Sequence, residues 1–247
     1  MRIAIVSDVH ANLAALEAVL RHAEAEGALD GLWCLGDMVG YGPQPCEVLD
    51  RLREAGARPV AGNHDLAAVG LVSTEDFNPA AAAAVHWTAR QLRDADRRYI
   101  ESLPQVRREE GFTLVHGTLR WPVWEYLYSY DAALAHLSRQ DTPFGLVGHT
   151  HIPMLVVEDG RFPRGCELFY LQDGAVVELR PGRRLVLNPG SVGQPRDGDP
   201  RASYAIYDSE AGTFSLHRVE YDIAATQKLI EEAGLPRWLS ERLAVGR

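Results

Sequence analysis

Short apolar runs recur along the first 150 residues, and each stops at a polar cluster. Residues 2–7 hold a short apolar run, Ile3 to Val6, with no alternation and bounded by polar residues, the pattern of a strand buried on both faces. The period then changes. Leu13, Leu16, Val19 and Leu20 fall three and four apart within residues 11–26, which predicts an amphipathic helix stopped at Gly27. A second run at 31–36 completes a strand–helix–strand unit, so its two strands should be parallel with a right-handed crossover. A helix around 44–55 leads to a strand at 58–62. Pro79 and an alanine run open a helix read over 79–103. Strands at 112–116 and 144–148 flank a helix near 130–139.

The pattern shifts after His151. Runs at 154–158, 167–171, 175–179 and 184–187 are separated by Asp159-Gly160, Asp173-Gly174 and Pro181-Gly182, and read as successive hairpins. A strand pair at 203–208 and 213–219 and helices at 222–233 and 236–244 end the chain. No linker composition or repeat intervenes. The expectation is one domain over 1–247, of the α/β class, with two packed sheets flanked by helices.

A chain of 247 residues can bury one substantial core. Its formal net charge of −9 argues against a nonspecific grip on nucleic acid, but not against a phosphate substrate held through cations. Lys228 is the only lysine, which base composition explains most simply. Cys34, Cys46 and Cys166 are too scattered for a zinc knuckle or a disulfide framework, and Cys34 reads as a core residue. The opening run is too short for an export signal, and none approaches the roughly 18 apolar residues of a membrane span. A cytoplasmic location is expected, with no membrane partner.

The polar clusters carry the chemistry. Asp8 and His10 (D-V-H), Asp37 (G-D), Asn63 and His64 (G-N-H-D), His116 (H-G), and His149 and His151 (G-H-T-H) each close an apolar run. In open α/β sheets ligands bind beyond the carboxyl ends of strands, so these residues should converge on one rim. Carboxylate, imidazole and amide donors without thiolate suit divalent transition metals rather than structural zinc. Seven of them, His64 set aside, are too many for one ion and suit two if a carboxylate bridges. By contrast, His86 and Trp87 read as packing residues of a helix, and His22, His136 and His217 as surface or packing residues.

The ordered motifs over 8–151, extended by N-P-G-S-V-G at 188–193, resemble the calcineurin-like metallophosphoesterase superfamily. Within it, the chain is most similar to compact bacterial phosphoesterases without a large cap domain. The resemblance implies a four-layer α-β-β-α sandwich. It implies that Asp8, His10 and His151 hold one metal, that Asn63, His116 and His149 hold a second, and that Asp37 bridges them. Manganese is the first expectation, with iron, zinc, nickel or cobalt as alternatives. A bridging hydroxide would attack a phosphodiester or phosphomonoester in line, with His64 protonating the leaving group.

The second motif reads G-D-M-V-G-Y-G, where the superfamily's serine/threonine phosphatases carry G-D-x-V-D-R-G, and Asp65 replaces a glutamate. A protein phosphatase is therefore disfavoured. Arg196 or Arg201 could supply the missing phosphate contact or merely solvate its loop, and Tyr41 could cover a substrate base or pack the loop. With no inserted domain, an open site is expected, taking a small phosphoester that could be nucleotide-like. A nuclease and a non-catalytic scaffold are the alternatives. The apolar runs of 154–187 could form a homodimer surface.

Overall fold

The computed structural model of the chain describes every residue except Leu29. Its elements run β1 (Arg2–Val6), α1 (Leu13–Ala25), β2 (Gly31–Cys34), α2 (Pro45–Glu54), β3 (Arg58–Pro59), α3 (Asn63–Ala68), α4 (Pro79–Gln91) and α5 (Asp94–Glu101). They continue with β4 (Val106–Glu109), β5 (Phe112–Val115), α6 (Tyr130–Leu137), β6 (Phe144–Leu146), β7 (Met154–Glu158) and β8 (Cys166–Tyr170). The last are β9 (Val176–Glu178), β10 (Arg184–Asn188), β11 (Ala202–Asp208), β12 (Thr213–Val219), α7 (Ile223–Glu232) and α8 (Arg237–Glu241).

Two six-stranded mixed sheets result, ordered β3-β2-β1-β11-β12-β9 and β4-β5-β6-β10-β7-β8. In the first, β1, β2 and β3 are parallel and β11 returns antiparallel beside β1. In the second, β5, β6 and β10 are parallel. The unbroken apolar runs divide between layers by strand alternation. Ile3, Ile5, Trp33 and Leu35 meet Phe112, Leu114, Leu146, Leu185 and Leu187 between the sheets. Ala4, Val6, Leu32 and Cys34 face the other way, under Leu16 and Val19 of α1 and Val48, Leu49 and Leu52 of α2. Val115, Val147 and Val186 do the same under Ala133 and Leu137 of α6. This is the expected four-layer sandwich, and Cys34 is the expected core residue.

Three features differ from the pattern reading. The helix over 79–103 is two helices, because Leu92 and Arg93 drop to extended backbone (ψ 128° and 158°). Asp96 restarts the coil by accepting from Arg93 N (3.3 Å) while pairing with the Arg93 and Arg53 guanidiniums, each at 2.6 Å. Within the first of these helices Trp87 packs as expected, whereas His86 is exposed. Of the three hairpin turns only the first joins paired neighbours, β7 and β8, and does so through a longer loop. At Asp173-Gly174 the chain crosses to the opposite sheet, where β9 pairs with β12, and at Pro181-Gly182 it returns as β10 between β6 and β7. Leu171 and Leu179, on either side of the excursion, insert between the sheets and pull the segment across. An Asp-Gly turn sets a change of direction, not the edge that receives the next strand. Finally, α3 and β4 lie in segments without a clear period.

Candidate metal centre

Each candidate side chain stands in the loop after a strand's carboxyl end. Asp8 and His10 follow β1, Asp37 follows β2, and Asn63 and His64 open α3 just beyond β3. His116 follows β5, and His149 and His151 follow β6. All eight come together, and none is more than 5% exposed. Close approaches cross between sheets: Asp8 Oδ1 to His151 Nε2 is 3.2 Å, and Asp37 Oδ2 to His116 Nε2 is 3.2 Å.

The hydrogen bonds fix which atoms are bare. His10 Nδ1 donates to the Val39 carbonyl (3.1 Å) and His151 Nδ1 to that of Gln194 (2.6 Å), which leaves both Nε2 atoms as acceptors. Those two nitrogens nonetheless face each other at 3.2 Å. His116 Nδ1 donates to Leu35 O (2.8 Å) and His149 Nε2 to Trp124 O (3.2 Å). With the ring neutral, as an ion would require, His116 Nε2 meets His149 Nδ1 at 3.1 Å and Asn63 Oδ1 at 3.2 Å with no hydrogen of its own to offer. Asp8 Oδ1 has no hydrogen-bond partner among the described residues. Lone pairs converging in a buried space repel unless a cation sits among them, so the donor set fits divalent ions. Two of the geometric groupings that could hold an ion are Asp8, His10 and His151, and Asp37, His116 and His149. A third joins His10, Asp37 and His64, so Asp37 reaches both sides and His64 lies within reach of a ligand position.

The backbone is strained where these side chains leave it. Asp8, His10, Asp37, His149 and His151 all have positive φ, between 49° and 63°. Each such residue costs on the order of 1 kcal/mol, a penalty that surrounding contacts must offset. Asp65 supplies some of these contacts, accepting from Met38 N (2.9 Å), Val39 N (3.1 Å) and Gly62 N (3.0 Å). Residues 188–193 supply others. Asn188 Nδ2 donates to Gly148 O (2.8 Å), Ser191 Oγ to Asp8 O (2.8 Å), and Gly193 N to Asp8 O (3.0 Å). Asn12 caps α1 and also donates to Gly193 O at 3.0 Å. The N-P-G-S-V-G segment thus splices the loops of one sheet to those of the other. Gly62 lies against Asp37, where any Cβ would collide with the carboxylate.

Electrostatics follow from crowding. Burial would raise Asp8 and Asp37, but the neighbouring histidines hold both carboxyls well below the usual carboxylate range. Burial pushes His149 down to about 3 and His64 to about 4, and lowers His10 and His151. His116 runs the other way: burial opposes its charge, yet Asp37 and Asp8 lift it to about 9. Burial beside Asp37 raises Asp65 to about 7.

The residues expected to touch substrate separate. Arg201 is engaged by Asp173 (2.8 Å) and Asp199 (2.7 Å) and belongs to its own loop. Arg196 reaches Gln194 Oε1 at 3.0 Å and the Tyr41 hydroxyl at 3.5 Å, and its Nε has no hydrogen-bond partner among the described residues. Tyr41 is buried edge-on to His10 (4.6 Å between centroids) and tilted on His64 (4.4 Å). The ligand side chains are buried, and a cleft of about 570 Å³ reaches them on the side of Asn63, His64 and His149. Phe77, Trp121, Trp124 and Tyr126 line that cleft and were not singled out by strand-end reasoning. Their signal is compositional: Trp121, Trp124, Tyr126 and Tyr128 fall within eight residues that show no period. Away from the centre, His136 is fully buried, and His22 donates to or accepts from the Tyr204 hydroxyl at 2.7 Å.

Residues 1–212 match the calcineurin-like phosphoesterase superfamily domain. The chain belongs to that superfamily. A metallophosphoesterase from Sphaerobacter thermophilus superposes with a TM-score of 0.89 at 48% identity, covering 100% of this chain and 99% of that one. An uncharacterized protein of Methanocaldococcus jannaschii is 38% identical over 99% of this chain and 98% of its own length. A symmetrical bis(5'-nucleosyl)-tetraphosphatase of Vibrio cholerae is 31% identical over 52% of this chain and 48% of its own. As a calcineurin-like phosphoesterase the chain is a phosphoester hydrolase, and its Asp and His groups could bind metal. Among its described residues, no helix is long and apolar enough to cross a membrane.

Proposed function

We propose that the chain hydrolyses a small, nucleotide-like phosphoester, a diester or a monoester, with the help of two divalent ions. The bare lone pairs converging about Asp37 carry this reading. Asp8, His10 and His151 would hold one ion, Asn63, His116 and His149 the other, with Asp37 shared. Manganese comes first, and iron, zinc, nickel and cobalt suit the same donors. When bound, such ions would set positive charge against the phosphoryl oxygens and lower the pKa of water for attack.

The protein's own groups do the rest. His64 is packed between the Tyr41 and Phe77 rings (4.4 and 4.8 Å), and it lines the cleft. Burial keeps the ring neutral, but an anionic phosphoryl group alongside favours its protonated form, ready to give a proton to the departing oxygen. Arg196, with a spare N–H, would contact a phosphoryl oxygen, and Tyr41 would hold Arg196 and His64 in place. The partial likeness to dinucleoside tetraphosphatases supports a nucleotide-like substrate. The test is a metal-screened panel of an aryl diester, an aryl monoester, cyclic nucleotides and dinucleoside polyphosphates. Turnover of at least one class is expected with manganese and not with chelator. No turnover with any ion would sink the reading.

A further inference from the structure

The cleft beside His64 lies between two loops from different sheets, 69–78 after α3 and 117–129 after β5. Trp121 is 59% exposed, an unusual position for an indole in a well-packed chain. Disorder does not explain it, because its loop is tied down. Gly117 N bonds Pro122 O (2.6 Å), Trp124 N and Glu125 N both bond Trp121 O (3.1 and 3.2 Å), and Arg120 pairs with Glu125 and with Asp131. The loop holds an indole face to solvent at a fixed place. Tyr126 is already stacked on His149 (3.9 Å, 9°) and Phe77 against Trp124 (5.5 Å), so these rings shape the walls, while Trp121 has the Arg120 guanidinium over its ring (5.2 Å) but no aromatic partner among the described residues.

We infer that this cleft is the leaving-group site and takes a flat aromatic group, a nucleobase or an aryl ring, carried on the departing oxygen and stacked on Trp121. The inference rests on the proposed phosphoester chemistry and names the substrate class for it. Position is the first support, since Asn63, His64 and His149 form the inner wall, where a departing oxygen would meet His64. Chemistry is the second. The rest of the wall is aromatic except for Ala81, Asp76 and Asn78, the last two an acceptor and an amide suited to the N–H edge of a base or to sugar hydroxyls. Size is the third, because about 570 Å³ lies in the range of small-molecule sites. Stacking is tolerant of base identity, which predicts selectivity for aromatic over aliphatic groups rather than for one base.

Two measurements on the full chain test this. First, tryptophan fluorescence is followed during titration with adenosine 5'-monophosphate and, as control, glycerol phosphate, with and without manganese. Saturable quenching by the nucleotide and not by glycerol phosphate is expected. Because either substitution removes the reporting indole, nucleotide binding by the variants is read by calorimetry, largely lost in Trp121→Ala and retained in Trp121→Phe. Second, hydrolysis of an adenosine ester is compared with that of an alkyl ester. Trp121→Ala should lower the aromatic-to-alkyl ratio of kcat/KM by about tenfold, mainly through KM, with Trp121→Phe restoring most of it. Equal effects on both esters, or no quenching, would overturn the inference. So would a concentration-dependent dimer abolished by Trp121→Ala without change in that ratio, which would make the face an interface between copies. Quenching without hydrolysis of any ester would instead remove the proposed reaction and leave the aromatic site standing.

Discussion

His64 is the residue on which the proposed chemistry turns. Its backbone N–H donates to Asp37 Oδ1 at 2.9 Å whatever its side chain is, so His64→Asn should keep that link. Both ions should be retained by elemental analysis, while turnover falls by about 10²- to 10⁴-fold, most for poor leaving groups. Loss of an ion would instead make His64 a ligand, as its place beside His10 and Asp37 permits. His136 offers a test unconnected to catalysis. Burial pushes it down to about 4, and Leu119 N donates to its Nδ1 at 3.3 Å, a bond that needs the neutral ring. The unfolded chain takes up this proton near pH 6.5 and the folded chain only near 4. Stability is therefore lost as pH falls from about 6.5 to about 4, by on the order of 3 kcal/mol for this residue. Chemical unfolding of His136→Asn over that window should show a correspondingly shallower slope. An unchanged slope would mean that His136 is protonated in the fold.

At the scale of elements, α3 shows how a short helix can hold a site. Asp65 caps it and also ties down Met38 and Val39 of the loop after β2. Asp65→Ala leaves three buried N–H groups without their acceptor and should cost on the order of 2–4 kcal/mol, seen as a lower Tm, with weakened ion binding. Retained stability would mean that water replaces the carboxylate. In sequence, Asp65 is visible only as a departure from a related motif, because capping by a residue three places into an aperiodic stretch leaves no period to read. The strands that end in ligands are legible because both their faces are buried and the run stops at a polar residue. They end one to three residues earlier than the apolar pattern does, as at Cys34, Pro59 and Leu146, where the backbone begins turning the ligands inward. The segment 171–182 misleads for a different reason. Its turns are real, but the choice of sheet depends on Leu171 and Leu179 finding a core assembled from distant strands. Arg93–Asp96 misleads because helix propensity continues smoothly across a break made by a side-chain cap.

For the whole molecule, the centre couples ion binding to protons. His116 is held near 9 by Asp37 and Asp8, so it carries a proton at pH 7.5 that an ion must displace. Manganese titration by calorimetry in buffers of differing ionisation heat should show release of about one proton at pH 7.5, vanishing above pH 9. Chelation should lower Tm, since ions bind the folded chain alone. Heat independent of buffer would place the proton elsewhere. The eight strand-end residues are all legible in sequence because strand ends face one rim in this architecture, whereas the wall beside them is not. That wall is built by a loop whose aromatic residues acquire neighbours only when the two sheets pack.

The pairing of β1 with β11 has a consequence for how the chain is made. Ile5 leaves the ribosome long before Ala205, which lies opposite it. At about 5–20 residues per second, some 10–40 s separate their synthesis. Throughout that interval one edge of β1 has no mate, and a nascent chain must keep it from pairing with a neighbour's.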